Sequence, residues 1–357
     1  MADIIFSKSS SGLGGGINGQ IGKLETPIKM VIQHESDLLT KKGGICDWLF
    51  NVEKSGKFGE TIIGMDEFDV FQHAEEGAAA EKDYMSETHK KFIEHIQFMK
   101  EFTITAEMME DANYGVAADA RRRAENFTRS YYKTRHRICE QALAQATAAS
   151  MTYAKATVDL TTSDGKPLFS TTHTYGKDYT SKGGVKRQGT QSNLYATGKV
   201  LGDNITGELE EYLTSASQVI RNMKDENGDP LGYTADTIIL PGDRPLLEAG
   251  IKKVCGSDGA LGNGYNDINL QYGNWNVVTM PGWQAANDEF LIMSSEANRN
   301  LAGNMFFNRV PLSVRNWIDD STWNYHWNGR CRFGVGFGSY KHIARIKVGA
   351  ADGETAL

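Results

Sequence analysis

The sequence predicts an α+β chain of two or three compact units, built around one unusually long helix. Three observations carry that prediction. Apolar and small residues recur at spacings of three, four and seven from Val116 to about Ala149. Apolar side chains recur with period two from Trp323 to Phe337. Between Leu201 and Phe307, helical and strand-like patterns follow one another as in a small α/β unit. With 357 residues, 40% of them hydrophobic and 23% charged, the chain can bury a large core and has an ordinary globular composition.

The first forty residues differ from the rest. SSSGLGGGINGQIGK is rich in Gly and Ser and shows no periodic apolar pattern, so an extended arm is expected, with residues 1–55 as a leading segment. Phe58 to Gln72 and Phe92 to Ile104 read as strands. In the second, Phe92, Ile96, Phe98, Phe102 and Ile104 share one parity, while His95, Gln97, Glu101 and Thr103 take the other. Together they predict a long two-stranded ribbon. Its link, HAEEGAAAEKDYMSET from His73 to Thr88, is far longer than the two-residue turn a hairpin needs. A lone ribbon has nothing over its apolar side, so something else must cover it.

Thr105 is a good N-cap, with Glu107 in the first turn. The helix predicted from Val116 would be a rod of roughly 50 Å. Leu209, Tyr212, Leu213, Ala216, Val219, Ile220 and Met223 mark a second amphipathic helix, ended by the turn-rich KDENGDPLGY. Thr237 to Leu240 reads as a strand, Asp243 and Pro245 open a short helix that stops at Gly256, and NVVTM and EFLIM are further strands. Gly256 to Asp267, GSDGALGNGYND, is a Gly-rich loop. Near the C-terminus, Trp323, Tyr325, Trp327, Cys331, Phe333, Val335 and Phe337 occupy one face of a strand, and Gly338 and Ser339 are expected to turn it into a partner at Lys341 to Val348.

Charge and motifs exclude more than they assign. The net charge of -7 argues against general attraction to nucleic acid or anionic membranes. The N-terminus lacks the charged and apolar regions of a signal peptide, and no apolar run is long enough to span a bilayer, which predicts folding in a cytoplasm. Cys46, Cys139, Cys255 and Cys331 are too widely spaced for a metal knuckle and read as free thiols. GLGGGIN has Ile17 where a dinucleotide fingerprint needs Gly or Ala. Asp225 to Pro230 begins like a calcium loop but carries Pro230 at the position that needs Gly, and reads as a surface turn. No catalytic, cofactor-binding or metal-ligating residue is predicted. The one sketch of a nucleophile and base is Ser170 with His173 in FSTTHTY, which lacks a visible orienting acid and oxyanion hole.

Arg121, Arg122, Arg123, Arg129, Lys133, Arg135 and Arg137 place seven cations within seventeen residues of the long helix, against Glu125 alone. Such a face meets phosphate or acidic neighbours, within the subunit or on another.

The order of these elements resembles the major capsid proteins of tailed bacteriophages. The residues that carry the resemblance are FTITAEMMEDANYG leading into ADARRRAENFTRSYYKTRHRICEQALAQA, then GKPLF, NGDPLGYTADTIILPGD and WNGRCRFGVGFGSYKHIARI, spread from about Gly56 to Val348. The resemblance implies the Hong Kong 97-type fold. It assigns 1–55 to an N-terminal arm, 56–104 to the extended β-hairpin loop, 105–200 and 308–357 to a peripheral domain with spine helix, closing hairpin and tail, and 201–307 to an axial domain. It implies no active site and no cofactor. Glu75, Glu76, Glu81, Lys82 and Asp83 at the ribbon tip would meet a neighbouring subunit. The seven basic residues of the long helix would meet a subunit or DNA, and the loop with Gly256, Asp258, Gly262, Asn263 and Tyr265 would lie at the capsomer centre. The implied function is an icosahedral virion head around double-stranded DNA, assembled in the host cytoplasm from pentamers and hexamers. The short arm predicts a separate scaffolding protein, and a portal is implied as a further partner. Two alternatives remain beside it: an encapsulin-type nanocompartment of the same fold, and a hydrolase acting through Ser170 and His173.

Overall fold

The computed structural model describes residues 5–6, 18–65, 73, 75–77, 87–110, 115–176, 189–202, 205–256, 269 and 271–357. In chain order the described elements begin with β1 (Ile5–Phe6), α1 (Asn18–Lys42), α2 (Ile45–Leu49), β2 (Asn51–Lys54), β3 (Gly59–Met65), β4 (Glu87–Glu94) and β5 (Ile96–Ile104). Two helices follow, α3 (Ala106–Glu110) and the long α4 (Gly115–Ala144). Then come β6 (Ser150–Tyr153), β7 (Ala156–Asp159), β8 (His173–Tyr175), β9 (Gly189–Gln191) and β10 (Leu194–Ala196). The α/β segment comprises α5 (Ile205–Arg221), β11 (Thr237–Pro241), α6 (Pro245–Gly256), β12 (Asn276–Met280), β13 (Glu289–Met293) and α7 (Ser295–Asn300). The chain closes with β14 (Asn304–Ile318), β15 (Tyr325–Phe337), β16 (Ile343–Lys347) and β17 (Thr355–Ala356). Among the described residues no helix is long and apolar enough to cross a membrane.

Two sheets organise the molecule. One runs β1-β14-β15-β5, with β2 also on β14; the other runs β12-β11-β13-β16-β10-β17. The α4 helix packs its face of Ala120, Ala124 and Phe127 on Ile28 and Ile32 of α1 and on Leu312, Val314 and Trp327 of the long strands. Further along, Ile138, Cys139, Ala142 and Leu143 enter the main core with Phe306, Phe333 and Phe337. A separate core lies between α5, α6 and the six-stranded sheet, around Leu213, Ile220, Ile238, Ile251 and Phe290. The apolar spacing in the sequence is therefore the spacing of contacts, because residues three and four apart share a helix face.

Several expectations meet the structure, the spine helix with an earlier C-terminal end than expected. Thr105 caps α3, its hydroxyl accepting the Met108 N–H at 3.3 Å. The spine helix has 30 residues, about 45 Å of rod. It ends before Ala149, where the chain turns into β6. The strands at Thr237, Asn276 and Glu289 form, and α6 stops at Gly256.

Three expectations are corrected. The leading segment is not extended throughout, since Asn18–Lys42 is a helix of 25 residues. Its sequence signal, Ile28, Val31 and Ile32 on one face, is masked by the Gly-rich lead and by Pro27, which argues against helix on propensity. Tertiary cover from α4 decides the matter, and Lys41 and Lys42 in the last turn followed by Gly43 at φ 65° close the helix favourably.

The second ribbon strand is Glu87–Glu94, not Phe92–Ile104. β4 pairs antiparallel with β3, from Gly59 opposite Glu94 to Met65 opposite Glu87. The chain then breaks at His95, and β5 joins the other sheet, with Ile96 opposite Phe333 and Ile104 opposite Tyr325. Parity reverses at this break: Lys91, Ile93 and His95 are buried while Phe92 is exposed.

The closing hairpin also has a different partner. β15 pairs with β14 and β5, so both its edges are filled and Ile343–Lys347 cannot join it. β16 instead lies between β13 and β10, where four of its five residues are buried. Its faces are buried by separate cores, Ile343 in the main core and Ala344 and Ile346 in the core of α5 and α6. Trp323, expected on the buried parity, stands in the preceding turn at φ 57° and is exposed, because the turn rather than the pleat sets its direction.

Candidate assembly surfaces

The β3–β4 ribbon pairs with no third strand among the described residues. Its base is anchored. Lys91 reaches across to Asp159 at 2.5 Å and to the Thr161 hydroxyl at 2.6 Å. Ile93 packs with Met305 and Phe307. Gly334 and Gly336 of β15 make room for this crossing: a Cβ on Gly336 would stand 2.7 Å from Cδ1 of Ile93, and one on Gly334 2.8 Å from Nδ1 of His95. His95 is held by the Ser55 hydroxyl at 2.8 Å, and burial, then the nearby Arg332 charge, lowers its pKa.

The exposed face of the ribbon is differently furnished. Phe58 and Phe92 stack at 6.5 Å between ring centroids, with the Arg332 guanidinium over Phe58, yet Phe58 is 62% exposed and Phe92 51%. Ile63 is also exposed. These apolar side chains are thus only partly covered among the described residues. Beyond the paired strands, His73, Glu75, Glu76 and Gly77 are exposed and Glu76–Gly77 form a turn, with Gly77 at φ 85°. Of the tip residues singled out in the sequence, Glu75 and Glu76 are thus at the surface; Glu81, Lys82 and Asp83 lie outside the described residues.

The basic cluster on α4 divides into two sets. Arg121 pairs with Glu125 at 2.9 Å, Arg123 with Asp119 at 3.0 Å, Arg129 with Glu35 of α1 at 2.6 Å and Arg135 with Asp47 of α2 at 2.5 Å. The Arg135 pair is structural: its guanidinium also lies 5.1 Å from the centre of the Phe306 ring. Burial works against that charge, but Cys46 and Asp47 beside it hold its pKa above the ordinary value. Arg122, Lys133 and Arg137 are exposed and make no ion pair among the described residues. The sequence showed the cluster but could not divide it, since Glu35 and Asp47 are distant in the chain.

Where α4 ends, a cleft of about 600 Å³ opens between it, the 281–287 loop and β16, lined by Arg137, Gln141, Gln145, Trp283, Arg345 and Lys347. At its base Arg345 grips Glu289, and Glu140 is turned beneath Gly282, where burial raises its carboxyl pKa. Sequence reading missed this cleft because its walls come from three separate stretches.

Of the capsomer-loop residues, Gly256 is the exposed last residue of α6; Asp258, Gly262, Asn263 and Tyr265 lie outside the described residues. The returning chain is fixed by the Asn269 amide on the Val254 carbonyl and by Gln271, which donates to the Thr214 hydroxyl at 2.9 Å.

The Ser170 and His173 pair is not brought together as nucleophile and base. His173 is fully buried and stacked on Tyr340 at 3.8 Å, with Nδ1 at 2.7 Å from Asp164 and Nε2 at 3.1 Å from the Leu168 carbonyl. Both ring nitrogens are occupied, and the Ser170 hydroxyl faces Thr172 instead. Asp164 does supply the acid the sequence lacked, as part of a folded knot. Burial would raise its carboxyl, but hydrogen bonds from His173 and Thr162 outweigh that and hold its pKa at about 2. The Asp225 turn is closed by its own carboxylate, which accepts the N–H groups of Asn227 and Asp229, each at 2.8 Å.

A spine helix crossing under long strands, a second α/β layer and a partly uncovered ribbon define a shell-building subunit of the Hong Kong 97-type fold. A family model described as phage capsid protein matches residues 96–346, and the chain belongs to that family. It is a structural capsid protein. The fold is similar to that in the capsid of cyanophage P-SCSP1u, with a TM-score of 0.50 and 12% identity over 87% of this chain and 89% of that one. Similar structures also include the capsid of Myoviridae phage XM1, with a TM-score of 0.48, 12% identity and coverage of 85% and 92%. A virus-like particle from Pyrococcus furiosus is a third, at 0.45, 9% identity and coverage of 90% and 98%. No curated protein sequence matches the chain.

Proposed function

We propose that this capsid protein is the major subunit of an icosahedral phage head, closing pentamers and hexamers around a double-stranded DNA genome in the host cytoplasm, with a separate scaffolding protein and a portal as partners. The observation that carries the reading is the ribbon. Phe58, Ile63 and Phe92 remain exposed in the single chain, and apolar side chains presented on a projecting two-stranded element need a surface to bury against. A neighbouring copy in a closed ring offers the same surface to every ribbon.

In this reading residues 56–94 form the extended loop, shorter than expected because β5 belongs to the main sheet, with Glu75, Glu76, Glu81, Lys82 and Asp83 at its contacting rim. The peripheral domain takes residues 105–191 with β5, β14 and β15, and the axial domain takes the α/β segment from α5 to α7 together with β10, β16 and β17, which share its sheet. The loop from Gly256 to Asp267, with Gly256, Asp258, Gly262, Asn263 and Tyr265, is the candidate for the capsomer centre. The protein has no catalytic role of its own.

Negative-stain microscopy of the purified chain tests the assembly, with closed particles expected. Removing residues 75–86 should leave a soluble, folded subunit that assembles poorly or gives fragile shells. Particles of normal number and stability from that deletion would count against the ribbon as the assembly element.

A further inference from the structure

We infer that the exposed row Arg122, Arg129, Lys133 and Arg137 on α4 is a contact track for the phosphate backbone of double-stranded DNA, so that this face of the helix is the one turned toward a packaged genome. The inference rests on the capsid reading above and adds to it the surface that meets the cargo.

Steps of seven, four and four residues keep these side chains on one face of an α-helix, over about 22 Å of its length. All four are exposed, whereas Ala120, Ala124, Phe127, Ile138 and Ala142 on the other side are buried. In a chain of net charge -7 such a row is a local reversal of sign. Arg122, Lys133 and Arg137 have no ion pair among the described residues, and Arg129 is shared between Glu35 at 2.6 Å and Glu125 at 3.9 Å. Glu140 would continue the row with an acid, but it is buried beneath Gly282, where the Arg137 charge still acts on it.

The chemistry of the face selects the partner. Among the described residues α4 contributes no exposed large hydrophobic side chain. A docked protein would require an apolar centre to its interface, whereas a nucleic acid backbone is met by cations with hydroxyl and amide donors. Asn126 is exposed within the row, and Gln141 and Gln145 continue it into the cleft beside Arg137. Among the described residues α4 itself carries no exposed aromatic platform for unstacked bases, which favours duplex over single strand.

The test is a salt titration of the full-length protein on a duplex of about 30 base pairs, over roughly 50 to 200 mM salt. Each phosphate contact contributes about 0.9 to the slope of log affinity against log salt. Substituting Arg122→Gln, Lys133→Gln and Arg137→Gln together should lower the slope by about 2.7, equally for two duplexes of unrelated sequence. Lys133→Gln alone should lower it by about 0.9, which keeps the test open if the triple variant folds poorly. An unchanged slope overturns the inference, and so does a variant that loses binding to polyglutamate while holding duplex as before. Microscopy of the same samples separates the two readings: absence of shells from the unaltered protein would sink the assembly reading, while the titration would still decide the row.

Discussion

Arg345 of β16 holds Glu289 of the neighbouring strand β13 by two hydrogen bonds, Nε to Oε2 at 2.9 Å and Nη2 to Oε1 at 2.6 Å. Its third nitrogen donates to the Ala144 carbonyl at 3.1 Å, and its guanidinium lies between Trp283 and Phe169. One side chain thus ties the six-stranded sheet to the C-terminal end of the spine helix. Breaking a buried pair by removing one partner leaves the other charge uncompensated, at a cost of about 3–5 kcal/mol. Arg345→Met should lower the urea midpoint accordingly. Arg345→Lys should recover only part of the loss, because an ammonium cannot reproduce the fork.

The ribbon's seat predicts a separation of folding from assembly. Gly336→Val would drive a side chain into Ile93, whose Cγ1 already stands 2.8 Å from the position of an added Cβ. Overpacking of this kind costs about 1–3 kcal/mol. The displaced element is the base of β4, so shell yield on microscopy should fall more steeply than the thermal midpoint of the subunit.

Acid should weaken the folded subunit well above the range of its carboxylates. His342 is fully buried, donates from Nε2 to the Asn304 side-chain oxygen at 2.9 Å, and has its pKa lowered by burial to about 3. The unfolded chain takes up this proton below about pH 6.5, while the folded chain refuses it until about pH 3. Stability therefore falls as pH drops through that window, by up to about 1.4 kcal/mol per pH unit for this one group. His95 and His136, both lowered chiefly by burial, act in the same sense. Chemical denaturation between pH 7 and 4 should show the loss, and His342→Gln should flatten it by one proton.

Asp164 acts further down the scale. Its folded pKa of about 2 lies below the ordinary 3.8, so the stability it contributes is present above about pH 4 and is lost as pH falls toward 2. The difference corresponds to about 2 kcal/mol at neutral pH. Asp164→Asn should forfeit about that much at pH 7, and the variant should show less additional loss than the parent between pH 4 and 2.

The spine helix, the capping Thr105, the strands of the α/β segment and the alternating face of β15 were all legible along the chain, since each is a periodicity of neighbouring residues. The basic cluster was legible in the same way. Its division into structural pairs and an open row was not, because Glu35 and Asp47 reach it only through α1 and α2. The ribbon was legible as an uncovered element, but its second strand was displaced toward the C-terminus. The stretch from Glu87 to Ile104 contains neither Gly nor Pro, so it gives no local sign that His95 leaves one sheet for another.

What the sequence by itself determined was therefore periodicity, charge and the absence of familiar catalytic motifs, together with an order of elements that resembles a capsid subunit. Only the tertiary structure decided which strand pairs with which. β15 is filled on both edges by β14 and β5, β16 is drawn into a sheet with a core on each face, and α1 becomes a helix because α4 gives its apolar side somewhere to lie. Local pattern fixes which face of an element is apolar; the competition among distant elements to cover that face fixes where the element goes.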